Sequence, residues 1–397
     1  MGKGKITEKI LVIVLMLALA FAGGTARLRP NAAEKRPAPA QQTAQTPEPA
    51  AQTPVQQPEQ TAAVTPPTQT PAPTPTPEPE LYTFHFIGDC TLAANAAHQG
   101  TSDGYDTVIN GDFSYPFAKT KQYFIDDDFT MANLECALTE ERSARVKTFT
   151  FRTSADYAQI LPEGGVEFVT LANNHVLDFG QKGYEDTKAA AAAAGLAYAG
   201  RDEWTIYETA RGLKIGVYAV SSFGTDRENR EAPELIKKGV AAVRAAGAEF
   251  VIAALHFGDE GSYQVNAVQR EQAHAAIDAG ADFVYGSHAH TLQPYEEYKG
   301  HYIYYCMGNW TFGGNTNPRD KDTFILEMTV ERAHDGSVTV LERTHIPCAS
   351  SGRTDTNNYQ PVPYEKDSEG WKRVMSKLDG SWTGANLSIG YGYSSNE

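Results

Sequence analysis

The sequence feature that most constrains the fold is a short apolar run, residues 166–172, which stops abruptly at Asn173-Asn174-His175. An apolar, β-branched run of this length predicts a buried parallel strand. Ligands of open α/β sheets bind at the carboxyl ends of such strands, so we expect Asn174 and His175 to lie on the rim of a site. The alternative is a loop whose amides cap the backbone and whose histidine is solvated.

Polar residues follow other predicted strands in the same way. The residues that end or follow these strands are Asp89, Glu135, His256, His288 and His290. A single loop histidine is more often solvated than bound to a ligand, so the prediction depends on the series rather than on any one member. With Asn174 and His175 the series forms an array of carboxylate, amide and imidazole groups, which suits a borderline or hard divalent metal.

Helical patterns alternate with these strands, which places the chain in the α/β class. The spacing of apolar residues predicts helices over 183–194, 233–246 and 265–279, and antiparallel strands over 302–307, 323–331 and 338–345. We expect a globular domain over residues 81–350. Residues 351–397 are a C-terminal extension in which Trp371, Val374, Met375 and Leu378 have the spacing of one amphipathic docking helix.

The first 80 residues differ from the rest. Residues 1–29 contain lysines followed by an apolar run, as in a signal peptide, and two arginines beyond the run that suit an N-terminal membrane anchor instead; both interpretations stay open. Residues 30–80 are rich in Pro, Ala, Gln and Thr and predict a disordered stalk. We expect the domain at the extracellular face of the cell membrane or in the cell wall, anchored or secreted.

The charge of the chain restricts its partners. A formal net charge of −15 argues against a nucleic-acid partner, because such binding depends on clustered lysine and arginine. An anionic substrate would therefore be held by a local feature, such as a metal.

Six motifs along the chain point to a known family. In order they are Gly88-Asp89, Asn133-Leu134-Glu135, Ala172-Asn173-Asn174-His175, His256-Phe257-Gly258-Asp259-Glu260, Gly286-Ser287-His288-Ala289-His290 and Gly308-Asn309-Trp310. From about Thr83 to Pro347 the chain resembles the poly-γ-glutamate capsule-biosynthesis (CapA) family, which is itself similar to the calcineurin-like metallophosphatases. The resemblance implies a four-layer αββα sandwich, metallophosphatase-like, with a metal site on the sheet edge.

The resemblance also implies roles for individual residues. Metal ligands would be Asp89, Glu135, Asn174, His256, His288 and His290, with Glu135 at the bridging position, and His175 would protonate the leaving group. Supporting positions would be Asn133, Asp178, Glu260 and Asn309. Thr91 stands where metallophosphatases carry a histidine ligand, and Glu135 is longer than their bridging aspartate. We therefore expect one or two divalent ions, with Mn, Zn or Fe favoured.

The resemblance implies a function as well. The leading hypothesis is an exported metal-dependent phosphoesterase-like protein of capsule (poly-γ-glutamate-type) or cell-envelope polymer biosynthesis, which hydrolyses an anionic polymer or a phosphorylated substrate. The alternative is a non-catalytic polymer-binding or export subunit of a membrane complex, with capsule-synthesis membrane proteins as partners. A third interpretation is a structural or adhesive wall protein whose histidines only pack.

Cysteines give one further expectation. Cys90 and Cys136 directly follow Asp89 and Glu135, and a disulfide between neighbouring strands is geometrically possible in an oxidising compartment. Two alternatives stay open: both side chains are buried thiols, or Cys90 lies near the metal as a soft ligand.

Overall fold

The computed structural model describes residues 78–222 and 226–387, without the side chains of residues 226–228. The predicted signal or anchor segment, 1–29, and nearly all of the predicted stalk lie outside the described residues. Within those residues, no helix has both the length and the hydropathy that a membrane span requires.

The described strands are numbered in chain order. They are β1 (Glu80–Thr91), β2 (Phe129–Leu134), β3 (Ala137–Leu138), β4 (Arg152–Thr153), β5 (Phe168–Thr170), β6 (Ala197–Ala199), β7 (Glu203–Glu208), β8 (Lys214–Ser222), β9 (Phe250–Phe257), β10 (Phe283–Ser287), β11 (Tyr295–Tyr298), β12 (His301–Tyr304), β13 (Asn309–Phe312), β14 (Asp322–Arg332), β15 (Val338–Ala349) and β16 (Val362–Pro363). The α-helices are α1 (Tyr105–Ile109), α2 (Ile160–Gly164), α3 (Gly180–Ala193), α4 (Asp226–Ala245), α5 (Ala267–Asp278) and α6 (Glu369–Leu378).

Most strands form two sheets. The first sheet has the order β16-β15-β14-β1-β2-β5-β6, and β13 also pairs with β1. Its β1, β2, β5 and β6 are parallel, whereas β14 and β15 form an antiparallel hairpin. The second sheet has the order β11-β12-β10-β9-β8-β7, with a parallel centre formed by β8, β9, β10 and β12. Each sheet therefore has a set of parallel strands whose carboxyl ends can carry a site.

Three apolar cores separate four layers. One core lies between α1, α2 and α3 and the first sheet, and another lies between α4 and α5 and the second sheet. The core between the sheets is aromatic: the ring centroids of Phe84 and Phe250 are 5.5 Å apart, and those of Phe86 and Phe283 are 4.5 Å apart. The predicted αββα sandwich is confirmed.

Local sequence explains where several elements begin and end. Asn266 starts α5, because its side chain accepts a hydrogen bond from the backbone of Gln269 and the Gln269 side chain accepts one from the backbone of Asn266. The helix predicted over 233–246 begins earlier, at Asp226, so Pro233 lies inside it and the predicted start was wrong. Beyond residue 350 the structure contains α6, whose Val374 and Leu378 pack into the core between the sheets.

Candidate metal centre

The residues at the carboxyl ends of the strands in the first sheet lie opposite one another in the strand register. In the strand register, Asp89 of β1 lies opposite Asn133 of β2 on one side and opposite Asn309 of β13 on the other. Asn133 in turn lies opposite Thr170, the last residue of β5. The carboxyl ends of these parallel strands therefore bring Asp89, Asn133 and the segment after Thr170 to one edge.

The second sheet supplies the histidines. His256, near the end of β9, lies opposite Ser287, the last residue of β10. His288 and His290 follow at once, and both have positive φ, 99° and 55°. A left-handed conformation costs a residue other than glycine on the order of 1–3 kcal/mol and is concentrated at functional sites, where the surrounding structure enforces it. The loop after β10 is thus held in a conformation that directs two histidines to one edge.

Glycines let a neighbouring segment approach the site. A Cβ atom on Gly88 would lie 2.0 Å from the carbonyl oxygen of Gly308, and one on Gly286 would lie 2.1 Å from that of Tyr305. The backbone N–H of Asp89 donates to the Gly308 carbonyl over 2.9 Å. The first approach explains physically why glycine precedes Asp89, and the positive φ of Gly308, 71°, explains why glycine precedes Asn309.

Two groups of metal-ligand side chains share one carboxylate. The first ligand group is Asp89, Glu135 and His290, and the second is Glu135, His256 and His288; within each group the ligand atoms lie within 4.8 Å of one another. Glu135 Oε1 is 3.6 Å from His256 Nε2 and 3.9 Å from His290 Nε2. Asn174 Oδ1 lies 3.2 Å from His256 Nε2, beside the second group.

The residues present fit a divalent metal. Asp89 Oδ2 and Glu135 Oε1 are buried, and neither has a hydrogen-bond partner among the described residues. Buried polar atoms are normally paired, and an exception asks for a specific explanation such as an ion. Carboxylate oxygen and imidazole nitrogen are ligands that Zn²⁺, Mn²⁺ and Fe²⁺ accept.

Neighbouring amides and hydroxyls orient these ligands. The Asn133 amide donates to Asp89 Oδ1 over 2.8 Å and to Glu135 Oε2 over 3.2 Å. One oxygen of each carboxylate therefore accepts this hydrogen bond, and the other oxygen can bind a metal. Ser287 Oγ lies 2.8 Å from His256 Nδ1, which directs Nε2 towards Glu135. Asn309 Oδ1 lies 2.9 Å from His290 Nδ1. Such contacts fix the tautomer and orientation of metal ligands.

Buried charge dominates the electrostatics of the site. Burial and the neighbouring Asp89 carboxylate raise the pKa of Glu135 well above its ordinary value, and burial lowers the pKa of His256 and His288 well below theirs. Burial alone would also lower the pKa of His290, but Glu135 and Asp89 raise it to about 10. The neutral imidazoles of His256 and His288 can bind a divalent cation directly, whereas His290 must lose its proton when the cation binds.

His175 has a different set of contacts. Its Nδ1 lies 2.8 Å from Asp178 Oδ2, and it belongs to neither ligand group. Asp178 also accepts hydrogen bonds from Lys147 Nζ (2.9 Å) and from the Phe151 backbone (2.9 Å). Burial lowers the pKa of His175, although Asp178 partly offsets this. Burial would raise the pKa of Asp178, but the bonds from His175 and Lys147 hold it below its ordinary value.

A cavity of about 290 Å³ opens beside these residues. Its lining includes His175, His290, Asn309 and Glu260 together with three phenylalanines, Phe149, Phe151 and Phe312. The site is therefore a cleft with titratable and polar side chains on one part of its wall and apolar rings on another.

The structure brings most of the predicted site residues together. The two ligand groups consist of Asp89, Glu135, His256, His288 and His290. Beside them lie Asn174 and His175. Hydrogen bonds to members of the site are made by Asn133, Asp178 and Asn309. Glu260 lines the cavity but belongs to neither ligand group. The sequence analysis missed Lys147, Asn173 and Ser287. Asn173 donates to Asn133 Oδ1 over 3.1 Å, and its position inside a predicted motif was the one available signal.

The disulfide alternative for Cys90 and Cys136 was wrong. Both side chains are buried free thiols. The register of β1 and β2 pairs Cys90 with Leu134, so Cys136 lies two residues beyond the level of Cys90. Burial raises the pKa of Cys136 to about 12, which keeps the thiol protonated. Neither ligand group contains Cys90, so the buried-thiol alternative describes the structure.

Fold and site together define an αββα protein with a candidate metal centre of carboxylate and imidazole groups at the strand ends. The chain belongs to the family of bacterial capsule synthesis proteins, PGA_cap, whose model matches residues 83–314.

Relatives with curated names are distant. The PGA biosynthesis protein CapA of Bacillus subtilis is 25% identical over 311 residues, which cover 74% of this chain and 76% of the relative. The capsule biosynthesis protein CapA of Bacillus anthracis is 25% identical over 282 residues, 66% of each chain. A probable polyglutamine synthesis accessory protein of Mycobacterium tuberculosis is 28% identical over 247 residues, 54% of this chain and 64% of the relative.

Among solved structures, the chain is similar to the NAD nucleotidase of Haemophilus influenzae. The TM-score is 0.38 at 10% identity, with 76% of this chain and 63% of the nucleotidase covered.

Proposed function

We propose that this chain is an exported, metal-dependent phosphoesterase-like protein of capsule biosynthesis, of the poly-γ-glutamate type, or of another envelope polymer. The observation that carries the proposal is the pair of ligand groups that share Glu135, with the His175 and Asp178 pair beside them in one cleft. Family membership and the names of the Bacillus relatives support the biological setting.

Different residues of the chain would bind the metal, donate the proton and orient the proton donor. The metal would be held by Asp89, Glu135, His256, His288 and His290. A bound divalent ion would polarise a phosphoryl oxygen and lower the pKa of water. His175 lines the cleft, so it can give a proton to the leaving-group oxygen. Asp178 holds the His175 ring through Nδ1 and stabilises its protonated form, while Lys147 holds Asp178.

The setting of the domain is part of the proposal. Residues 1–29 would direct export and either be cleaved or stay as a membrane anchor, and residues 30–80 would hold the domain away from the membrane. The substrate would be an anionic envelope polymer or a phosphorylated precursor, with capsule-synthesis membrane proteins as possible neighbours. The net charge of −15 makes the metal centre the local feature that attracts an anion.

The test combines metal analysis with a generic substrate. The full chain should bind Mn²⁺, Zn²⁺ or Fe²⁺ in one or two equivalents and hydrolyse 4-nitrophenyl phosphate. Glu135→Gln, which leaves the side-chain volume nearly unchanged, should lose both the metal and the hydrolysis. A parent protein that binds no divalent ion and hydrolyses no phosphate ester with any of them contradicts the proposal.

One observation favours the second candidate function, a non-catalytic polymer-binding or export subunit. Thr91 is fully buried at the position where metallophosphatases carry a histidine, and its hydroxyl has no hydrogen-bond partner among the described residues. The first ligand group therefore has one imidazole fewer than a metallophosphatase. Two results would support this alternative. The protein would bind metal without hydrolysing phosphate esters, and it would co-purify with envelope membrane proteins even as the His175→Ala variant.

A further inference from the structure

One wall of the cleft is built from the chain beyond the family match, which ends at residue 314. The loop between β13 and β14 contributes Asn315, Pro318, Arg319 and Asp320 to the cleft lining, and Leu387 contributes from the C-terminal segment. We call residues 315–320 the wall loop. Because it faces the same cavity as His175 and His290, the wall loop is placed to contact whatever the metal centre binds.

A buried lysine anchors the wall loop to α6. The Lys377 side chain is 2% exposed, and its Nζ lies 2.7 Å from Asp320 Oδ2 and 2.7 Å from Asp322 Oδ2. Arg373, one turn earlier in α6, makes two hydrogen bonds of 2.6 Å to Asp322. A buried lysine is rare unless it is paired, and here the partners are two carboxylates, one at the end of the wall loop and one at the start of β14.

The same lysine also contacts Tyr263, in a second segment that reaches the cleft. Tyr263 OH donates to Asp320 Oδ2 over 2.7 Å, and Lys377 Nζ lies 4.8 Å from the centre of the Tyr263 ring. Two residues before Tyr263, Gly261 lines the cleft and its carbonyl accepts a hydrogen bond from the Leu387 backbone. Three segments that form the cleft therefore meet around Lys377.

The charges of the wall loop affect which substrate the cleft can bind. Asp320 lines the cleft, but its carboxylate is bonded to Lys377 and Tyr263, which reduces the negative field it adds. The adjacent Arg319 is exposed and lines the same wall. In a chain of net charge −15, a cation held beside the metal centre is a selective contact for an anionic substrate.

We propose that Lys377 is a positioning residue for the wall loop, and that Arg319 of this loop binds an anionic group of the substrate next to the group held at the metal centre. This inference rests on the proposed function, since it concerns the substrate of the same cleft. It assigns substrate selection to the C-terminal part of the chain rather than to the family motifs.

The positioning role is tested without turnover. Hydrogen exchange of the full chain should become faster in residues 315–322 of Lys377→Met and remain unchanged in Lys372→Met, an exposed lysine of the same helix that pairs with Glu369. Asp320→Asn, a milder change at the other end of the contact, should show the same local effect if Lys377→Met does not fold. Unchanged exchange of the wall loop in the folded variants overturns the proposal.

Substrate selection is tested with two fluorescent phosphotyrosine peptides, one flanked by glutamates and the other by glutamines. Arg319→Ala should raise the Kd of the acidic peptide about two- to fivefold, as expected for an exposed ion pair, and leave the Kd of the amide peptide and the metal content unchanged. The control is Arg353→Ala, an exposed arginine paired with Asp355 that does not line the cleft.

The outcomes separate the two proposals. Loss of the preference for the acidic peptide supports the inference even in a protein without turnover, in which case the phosphoesterase proposal alone fails. An equal Kd change for both peptides, or none for the acidic one, overturns the inference even if the parent hydrolyses phosphate esters.

Discussion

Two clusters of histidine and carboxylate lie along β1, one around His85 and the other around Asp89, and they differ in how completely they are hydrogen-bonded. At the first cluster, His85 Nδ1 lies 2.6 Å from Asp127 Oδ2 and Nε2 lies 3.3 Å from Glu327 Oε2. Thr130 Oγ1 also donates to Asp127, over 2.5 Å. Both ring nitrogens of His85 therefore have a carboxylate partner.

The second cluster has the same residue types but leaves two carboxylate oxygens without a hydrogen bond in the described part of the chain. Asp89 Oδ2 and Glu135 Oε1 are buried without a hydrogen-bond partner among the described residues, although they lie close to three histidines. The cluster around His85 does not belong to either ligand group. Composition alone does not distinguish a packed ionic cluster from a metal centre, whereas buried carboxylate oxygens without a hydrogen bond, beside three imidazoles, favour a metal centre here.

The largest expected effect follows from this difference. Glu135→Gln removes the shared carboxylate of both ligand groups and should abolish stoichiometric metal binding, because each group loses its central anion. Glu327→Gln, the same substitution at the His85 cluster, should keep the full metal content. Metal is measured by elemental analysis after dialysis against trace-metal-free buffer.

His288→Ala extends this test to a single ligand group. It should weaken metal binding sharply while thermal unfolding stays cooperative. The distinction between the clusters breaks down if Glu135→Gln and His288→Ala both retain the parental metal content, or if Glu327→Gln loses metal as they do.

A smaller effect is expected at His175, which adjoins the ligand groups without joining them. His175→Ala should retain its metal and lose turnover by roughly 10²–10⁴-fold, because the leaving group is no longer protonated. Aryl phosphates of increasing leaving-group acidity provide the measurement. The loss should shrink for leaving groups that need no proton, and an equal loss for good and poor leaving groups would speak against the general-acid role.

Much of the fold could be predicted from the sequence. The central strands of both sheets are continuous apolar runs, and the helices between them have clear periodicity, so the layers follow. Short strands were missed: β11 and β13 have four residues each, too few for a period to show. β1 continues through Gly88 to Thr91, where Gly88 lets Gly308 pack closely and Asp89 pairs with Asn309 of β13.

The site was predictable to the extent that its residues follow strands. The rule that ligands gather at carboxyl ends of parallel strands located Asp89, Asn174 and His256, and the family resemblance supplied their roles. Lys147 has no such signal, since it lies in an irregular segment and reaches Asp178 only through the tertiary fold. The register between two strands likewise cannot be predicted from a single sequence. The offset of Cys136 from Cys90 was therefore missed.

A modest, pH-dependent effect is expected beside the His85 cluster. Burial and the nearby Asp127 raise the pKa of Glu167 to about 8 from an ordinary 4.5. Because the folded state holds this proton more tightly, the stabilisation is complete below about pH 4.5 and is lost as the pH rises through 8.

Glu167→Gln cannot lose a proton and keeps an oxygen to accept from the Thr130 backbone, which donates to Glu167 over 2.7 Å. The variant should therefore gain on the order of 1–3 kcal/mol relative to the parent between pH 5 and pH 8.5, measured by denaturant unfolding. Glu163→Gln, at an exposed glutamate of α2, should show no such trend. A parent and variant that respond identically to pH would refute the buried-acid account.

The smallest expected effect concerns Cys90 and Cys136, which follow the two carboxylates of the first ligand group. Since the strand register places Cys90 opposite Leu134, a bridge to Cys136 would need backbone movement that also displaces Asp89 and Glu135. The thiols instead pack as small apolar side chains in the core beneath the site, and burial keeps them protonated and slow to react. Protein recovered from its native compartment should therefore titrate four free thiols when denatured without reductant, and reductant should leave the melting temperature unchanged. Two missing thiols, with a melting temperature that falls on reduction, would show that the strand ends shift to form the bridge.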